Sequence, residues 1–336
     1  MAAESNLSAL AEALGPCARR DVRLAPFTSI RVGGPADVFV VAGSQDELVH
    51  AVRLARHYDV PWRVLGSGCN VLIADEGVRG LVIANRAESI FIEGGLVRAE
   101  SGAKLTVLAQ RAVEAGLEGL AWAAGLPGTV GGAVVGNAGA FEGDVAGVLG
   151  SATMLEPDDE VRERPNTWFE FRYRGSRLKG RRHDAAEDGS GTQGAADGGY
   201  VVLEAAFDLK PGNRAALRAR AEQILTWRRT RHPSGATMGS TFKNPPGGHA
   251  GRLIERAGLK GLRMGGAQIS EQHANFFVNL GDATAVDVWA LIERARAEVR
   301  RQFGVVLELE IEPLGWDGSV MNGTSTKCQG TADGNR

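Results

Sequence analysis

Residues 125–140 read GLPGTVGGAVVGNAGA, with glycine at 125, 128, 131, 132, 136 and 139. This density disfavours a long regular helix or strand, because each glycine costs about 0.5–1 kcal/mol of order against alanine. Close approach of a ligand to bare backbone is a reason to keep such a run. A flexible loop would be glycine-rich too, but the interleaved Leu126, Val130, Val134 and Val135 have the look of packed residues.

The chain around this run has 336 residues, enough for two or three cores rather than one. ADVFVVA (36–42) reads as a strand, and Ser44 with Glu47 forms a capping box for a helix striped by Leu48, Val52 and Ala55. Strands are expected at Trp62–Leu65 and Val78–Ala84, a helix near Leu105–Ala115 and a strand at Tyr200–Leu209. A helix over 213–230, with Leu217, Ala221, Ile224 and Leu225 on one side, is expected to open a third domain. That domain would end in a helix from Thr284 to about Phe303 and a strand, Val305–Ile311. The expected units are thus 15–85, 86–212, 213–316 and a disordered tail, 317–336. Within the second, RRHDAAEDGSGTQGAADGG (181–199) carries almost no large apolar residue and reads as a mobile surface loop.

Other segments carry candidate chemistry. VLGSGCNVLI (64–73) puts Gly66, Ser67 and Gly68 at a strand end, where bare N–H groups can meet a diphosphate. A lone Gly-x-Gly is more often a plain turn, and the third position of a dinucleotide fingerprint would here be Val71. FEFRYRGS (169–176) groups Tyr173, Arg174 and Ser176, and an arginine suits bidentate grip of a carboxylate. Taken alone, the segment is more often the edge of a surface strand. RRTRHPSGATMGSTFKNPPGG (228–248) contains Arg231, Ser240, Lys243 and Asn244, which could donate a proton and hold phosphates, though a mere loop reads similarly. LELEIEP (307–313) alternates as a half-exposed strand does, placing Glu308, Glu310 and Glu312 on one face.

Composition narrows the classes. A net charge of −2 offers no basic field for nucleic acid or membrane. The three cysteines, Cys17, Cys69 and Cys328, form no CxxC pair, and His273 has no partner at ligand spacing, so no disulfide framework or metal site is expected. No basic, apolar leader and no apolar run of about 20 residues is present, which favours the cytoplasm.

Read together, the segments resemble the UDP-N-acetylenolpyruvoylglucosamine reductase family. The likeness runs through TSIRVGGPADVFV (28–40), VLGSGCNVLI, GLPGTVGGAVVGNAGAFEGD (125–144), YRGS, GSTFKNP (239–245), AGRLIERAGLKG (250–261), GGAQISEQHANFFVNLGDATA (265–285) and LELE, covering Phe27 to Gly315. It implies an α+β chain with an FAD-binding fold of the vanillyl-alcohol-oxidase type in two subdomains and a C-terminal substrate domain. Gly33, Gly34, Gly66, Ser67, Gly68, Cys69, Asn70, Gly125, Pro127, Gly128, Gly131, Gly132 and Asn137 would line the FAD. The short stretch from Leu209 to Arg231 resembles the family's second type, which lacks an additional substrate-covering loop and its tyrosine. Three departures stand out: Cys69 where serine is common, LELE for LEPE, and Arg231–His232 for Lys-Gln or Lys-Leu.

The resemblance further implies that NADPH reduces FAD and that the UDP-sugar then follows in the same channel. Ser240 would protonate C2 of the enolpyruvyl group, while Arg174 and a protonated Glu310 stabilise the developing charge. Tyr173, Arg231, Lys243, Asn244 and His273 would bind substrate. With no histidine in 27–49 or 58–182, a histidyl link is not expected and the flavin is expected to be non-covalent. The enzyme is expected to be a monomer. Two rivals are an FAD-dependent oxidase of a small alcohol, which needs no Arg231/Lys243 diphosphate pair, and a non-catalytic nucleotide-binding module, which gives Ser240, Arg174 and Glu310 no joint use.

Overall fold

The structure is a computed structural model describing residues 2–179 and 199–316. The insert expected to be mobile, except Gly199, and the tail from 317 onward lie outside the described residues.

The first unit is a four-stranded sheet in the order β1 (Arg19–Arg23), β2 (Pro35–Ala42), β5 (Val78–Asn85), β3 (Trp62–Leu65). β2 and β3 run parallel to β5. Such strands are covered on both faces and read as near-continuous apolar runs. Val38, Val40, Leu81 and Ile83 indeed pack under α2 (Gln45–His57), while Phe39, Val82 and Ala84 face a second cluster. Ser44 caps α2 by accepting from Glu47 N–H, but the Glu47 carboxylate accepts from Gly43 rather than from Ser44, so the box is shifted by one residue. An N-terminal helix, α1 (Ala2–Leu14), buries Leu10 in the same core. β4 (Val71–Ile73) follows the 66–68 turn.

The second unit is a five-stranded antiparallel sheet. Its order is β12 (Val161–Pro165), β11 (Leu149–Leu155), β13 (Val201–Asp208), β7 (Leu96–Glu100), β6 (Ile90–Glu93). Against it lie α3 (Leu105–Glu114) and α4 (Val130–Gly136), and two-residue strands β8 (Leu117–Glu118), β9 (Gly139–Ala140), β10 (Gly143–Asp144) and β14 (Lys210–Pro211) complete it. The glycine run therefore does hold a helix, though one of only seven residues. Val130 and Val134 are fully buried, and their burial offsets the glycine cost. α5 (Arg214–Arg231) begins where the third domain was expected to open, yet its side chains reach back to the second unit. Arg228 Nε donates to Ala124 O at 3.1 Å, and a Cβ on Gly125 would meet Leu225 at 2.7 Å.

The third unit is the sheet β15 (Ala236–Ser240), β18 (Phe276–Asn279), β17 (Ala267–Ile269), β16 (Arg263–Met264), with α6 (Ala250–Arg256) and α7 (Ala285–Phe303). α7 buries Val288, Leu291, Ile292, Ala295 and Val299 in a core that Ile30, Val32 and Leu72 of the first unit also enter. Asp75 ties the two units again, accepting from Ala285 and Val286 N–H at the start of α7.

The expected strand 305–311 is not continuous. Lys243 N–H donates to Glu308 O, Glu310 N–H to Thr241 O and Glu312 N–H to Asn70 O. The segment thus changes partner midway, and regular pairing resumes only at β19 (Glu312–Leu314), parallel to β4. No described helix is long and apolar enough to cross a membrane.

Candidate active site

Tyr173 and Arg174 form the tip of a tight reversal, not a strand edge. Arg172 and Gly175 exchange both backbone hydrogen bonds, at 2.9 and 3.1 Å, and Arg174 has a left-handed backbone, φ 55°. That conformation costs a residue with a Cβ about 1–2 kcal/mol, so its surroundings must hold it. Asn137 Nδ2 donates to Arg172 O at 3.1 Å, Ser176 Oγ to Val135 O at 2.7 Å and Arg174 Nη1 to Gly139 O at 2.7 Å. The glycine run thus cradles the reversal and turns the guanidinium inward. Arg174 Nε lies 2.8 Å from Glu310 Oε1. Its N–H is not directed at that oxygen and is left without an acceptor, so the contact is an ion pair and not a directed hydrogen bond. Tyr173 is mostly exposed, its ring under the Arg174 guanidinium at 5.6 Å.

Glu310 arrives through the change of partner described above. Asn70 Nδ2 donates to its carbonyl at 3.1 Å, and Lys179 Nζ reaches the same oxygen at 3.4 Å. Burial pushes the Glu310 carboxyl above its ordinary value, against the pull of Arg174, Lys179 and Lys243. Desolvation prevails even beside a cation.

Ser240 ends β15 opposite Phe276, after a register shift and a left-handed Gly239. The next residue, Thr241, bonds Glu310, so serine and carboxylate stand on adjoining segments. Asn275 fixes this by a two-point clamp on Phe242, donating to its carbonyl at 2.8 Å and accepting from its N–H at 3.0 Å.

The expected cofactor residues divide by what their backbone faces. At Gly34 a Cβ would overlap Asp75 O at 2.0 Å, and at Gly68 Phe27 O at 2.2 Å, so protein packing forbids a side chain there. Gly33 and Gly34 line a hollow of about 620 Å³ with Arg23, Pro35, Asp75, Thr284 and Val286, none of which was expected in the site. Gly125 is closed by Leu225 and Gly131 by Ser101. Gly128, at φ +126°, and Gly136 instead face open space, and Gly132 meets only Thr129 Oγ1 at 3.6 Å. A Cβ on Gly66 would strike Thr129 Oγ1 at 2.5 Å, which brings the 66–68 turn against the start of α4. The open backbone is therefore that of the glycine run, at Gly128, Gly132 and Gly136, with Pro127 exposed beside it and the 66–68 turn packed against the start of α4. Ser67 accepts a Cys69 Sγ contact through its carbonyl at 3.6 Å, and burial pushes the Cys69 thiol up. Asn137 is committed within the protein, to Arg172, Asp144 and Ala146.

The expected substrate residues are less uniform. Lys243 Nζ reaches Glu308 at 3.3 Å, and Asn244 Oδ1 accepts from Ala250 N–H at the start of α6. Arg231 stacks over Trp227 at 5.3 Å. His273 Nδ1 accepts from Asn275 N–H, and its ring stands 5.9 Å from that of His232. Burial depresses both imidazoles, His232 to about 4. Lys179, Arg228 and Asn275 were not foreseen, for no local motif marks a residue whose role lies in a partner far along the chain.

Fold and site together define a flavin-dependent oxidoreductase with a C-terminal substrate domain, and the FAD binding domain family model matches residues 36–163. The model for the UDP-N-acetylenolpyruvoylglucosamine reductase C-terminal domain matches residues 231–314. UDP-N-acetylenolpyruvoylglucosamine reductase 2 of Symbiobacterium thermophilum is 44% identical over 88% of this chain and 92% of its own. The reductase of Rubrobacter xylanophilus is 43% identical over 90% and 97%. The crystal structure of the reductase from Thermus caldophilus superposes with a TM-score of 0.73 at 35% identity, over 88% of this chain and 99% of that one. The chain belongs to the UDP-N-acetylenolpyruvoylglucosamine reductase family.

Proposed function

We propose that the chain reduces UDP-N-acetylglucosamine enolpyruvate to UDP-N-acetylmuramate, with NADPH as reductant and FAD between them, in peptidoglycan precursor synthesis. The observation that carries this reading is the Arg174–Glu310 pair, with Ser240 on the adjoining segment. The 66–70 turn and the 125–132 run would hold FAD, which when bound would supply the hydride chemistry linking NADPH to C3 of the enolpyruvyl group. As C3 gains the hydride, negative charge builds at C2 and spreads into the carboxylate. Arg174, whose Nε–H lacks an acceptor, binds that carboxylate, and Glu310, whose carboxyl burial pushes toward its protonated form, donates to the same enolate-like charge when it carries the proton. Ser240 Oγ gives its proton to C2, completing addition across the double bond. A serine hydroxyl is a weak acid in water, so this step requires the surrounding site to stabilise the alkoxide it leaves.

Lys243, Asn244, Arg231, Tyr173 and His273 serve the UDP-sugar on this reading, in a monomeric cytoplasmic enzyme that needs neither membrane nor nucleic acid. Anaerobic stopped-flow absorbance tests it. NADPH should bleach the flavin, and the enolpyruvyl substrate should restore the colour. Restoration by O₂ at the turnover rate, with no response to substrate, would favour the alcohol-oxidase reading. Acid should release all of the flavin, and colour retained by the denatured protein would contradict non-covalent binding.

A further inference from the structure

The last turn of α5 carries a cation that the mechanism above leaves unused. Arg228 is half-buried, its Nε bound to Ala124 O at 3.1 Å and its guanidinium 5.3 Å from the Phe141 ring centre. Its Nη2 is buried and has no hydrogen-bond partner, and no described carboxylate pairs with it. Its charge is felt by that of Arg174, and burial together with this repulsion pushes the group's pKa down. A buried donor on a charged group is costly to leave unmade, and cations taken out of water are otherwise paired. The side chain is not adrift, for two contacts hold it between the glycine run and the aromatic ring of the 139–144 turn. It is fixed in place with one donor outstanding, beside a second arginine that also has a donor outstanding.

We propose that Arg228 is an anion receptor of the active site, its Nη2 hydrogen-bonding an anionic oxygen of the nucleotide that enters. The inference rests on the functional reading above and extends it, since Arg174 and Glu310 already address the reacting end of the substrate. The oxygen belongs either to a diphosphate, which NADPH and the UDP-sugar share, or to the enolpyruvyl carboxylate, which only the sugar nucleotide has.

The test is a set of dissociation constants for FAD-loaded wild type, Arg228→Met and Arg228→Lys, read by flavin absorbance at fixed ionic strength. The ligands are UDP-N-acetylglucosamine enolpyruvate, UDP and NADP⁺. A charge-assisted hydrogen bond lost on Arg228→Met should weaken binding by about 10–100-fold. Weakening of all three ligands assigns the diphosphate, with partial recovery in Arg228→Lys, because lysine serves phosphate as a point charge. Weakening of the enolpyruvyl substrate alone assigns the carboxylate, with little recovery. Unchanged constants for all three overturn the proposal. So does a loss of bound flavin matched by normal affinity in the flavin that remains, since Arg228 would then be structural. Wild type that binds NADP⁺ but no UDP-sugar would instead sink the functional reading, leaving the NADP⁺ comparison to judge Arg228.

Discussion

Arg174 Nε sits 2.8 Å from Glu310 Oε1, joining a strained reversal in the second unit to the segment that leads into the last strand. The contact is close without being a directed hydrogen bond, so both groups retain capacity for a third partner. Arg174→Lys keeps the charge and loses the planar fork. Return of flavin colour on adding substrate should slow by about 10²–10³-fold, the scale of one lost oxyanion donor. Bleaching by NADPH should proceed at a near-normal rate. Equal slowing of both half-reactions would make the residue structural.

Glu310 gives a pH prediction. Its folded form holds a proton to higher pH than the unfolded chain, because burial outweighs three cations. From the ordinary value of 4.5 up to the raised folded value, the folded state binds more protons, so stability falls as pH rises through that window. Glu310→Gln removes this titration. The melting temperature of the variant relative to wild type should therefore climb from acid to neutral pH. A difference that stays flat across the window would rule the linkage out.

Ser240→Ala should leave NADPH bleaching intact and slow substrate reduction by about 10²–10⁴-fold, the range for a positioned general acid. Solvent deuterium incorporated at C2 without stereochemical control would show water replacing the hydroxyl. Full activity in the variant would remove Ser240 from the mechanism.

Asn137 separates a cofactor role from a positioning one. Its side chain donates to Arg172 O and accepts from Ala146 N–H, and its own backbone is left-handed, φ 43°. Asn137→Ala should cost about 1–3 kcal/mol from groups left unpaired, read as a lower melting temperature. Because the Arg174 reversal hangs on it, the substrate half-reaction should suffer more than flavin content. Flavin loss with normal kinetics per bound flavin would assign Asn137 to the cofactor.

His232 should resist protonation down to about 4, through burial first and then the charges of Arg228 and His273. A depressed imidazole contributes stability that is lost as pH falls from 6.5 toward that value. NMR titration of the ring gives the pKa directly, and His232→Phe should flatten the acid side of the stability curve in that window.

The local part of this architecture was legible because its causes are local. Ser44 caps α2 and Thr284 caps α7 where their side chains dictate, and the apolar run 36–42 forms the strand its pattern requires. The glycine run was readable as a place of bare backbone, but composition could not say which glycines face open space and which merely make room for Asp75, Phe27 or Leu225. Likewise the 213–230 helix was plain from its periodicity, while its packing against Ala124 and Gly125 was not. The segment 305–311 alternates like a strand, yet its hydrogen bonds are divided between 241–243 and Asn70, so the ladder never forms there.

By itself, then, the sequence determined most element types and caps and offered candidates for the chemistry, since propensity and periodicity act within a few residues. Only the tertiary structure decided that Arg174 pairs with Glu310, that Ser240 stands on the segment adjoining Glu310, that Asn137 and Asn275 brace these segments, and that Arg228 keeps a buried donor outstanding. Those relations depend on burial and on partners brought together by packing, and neither quantity exists until distant segments share one desolvated space.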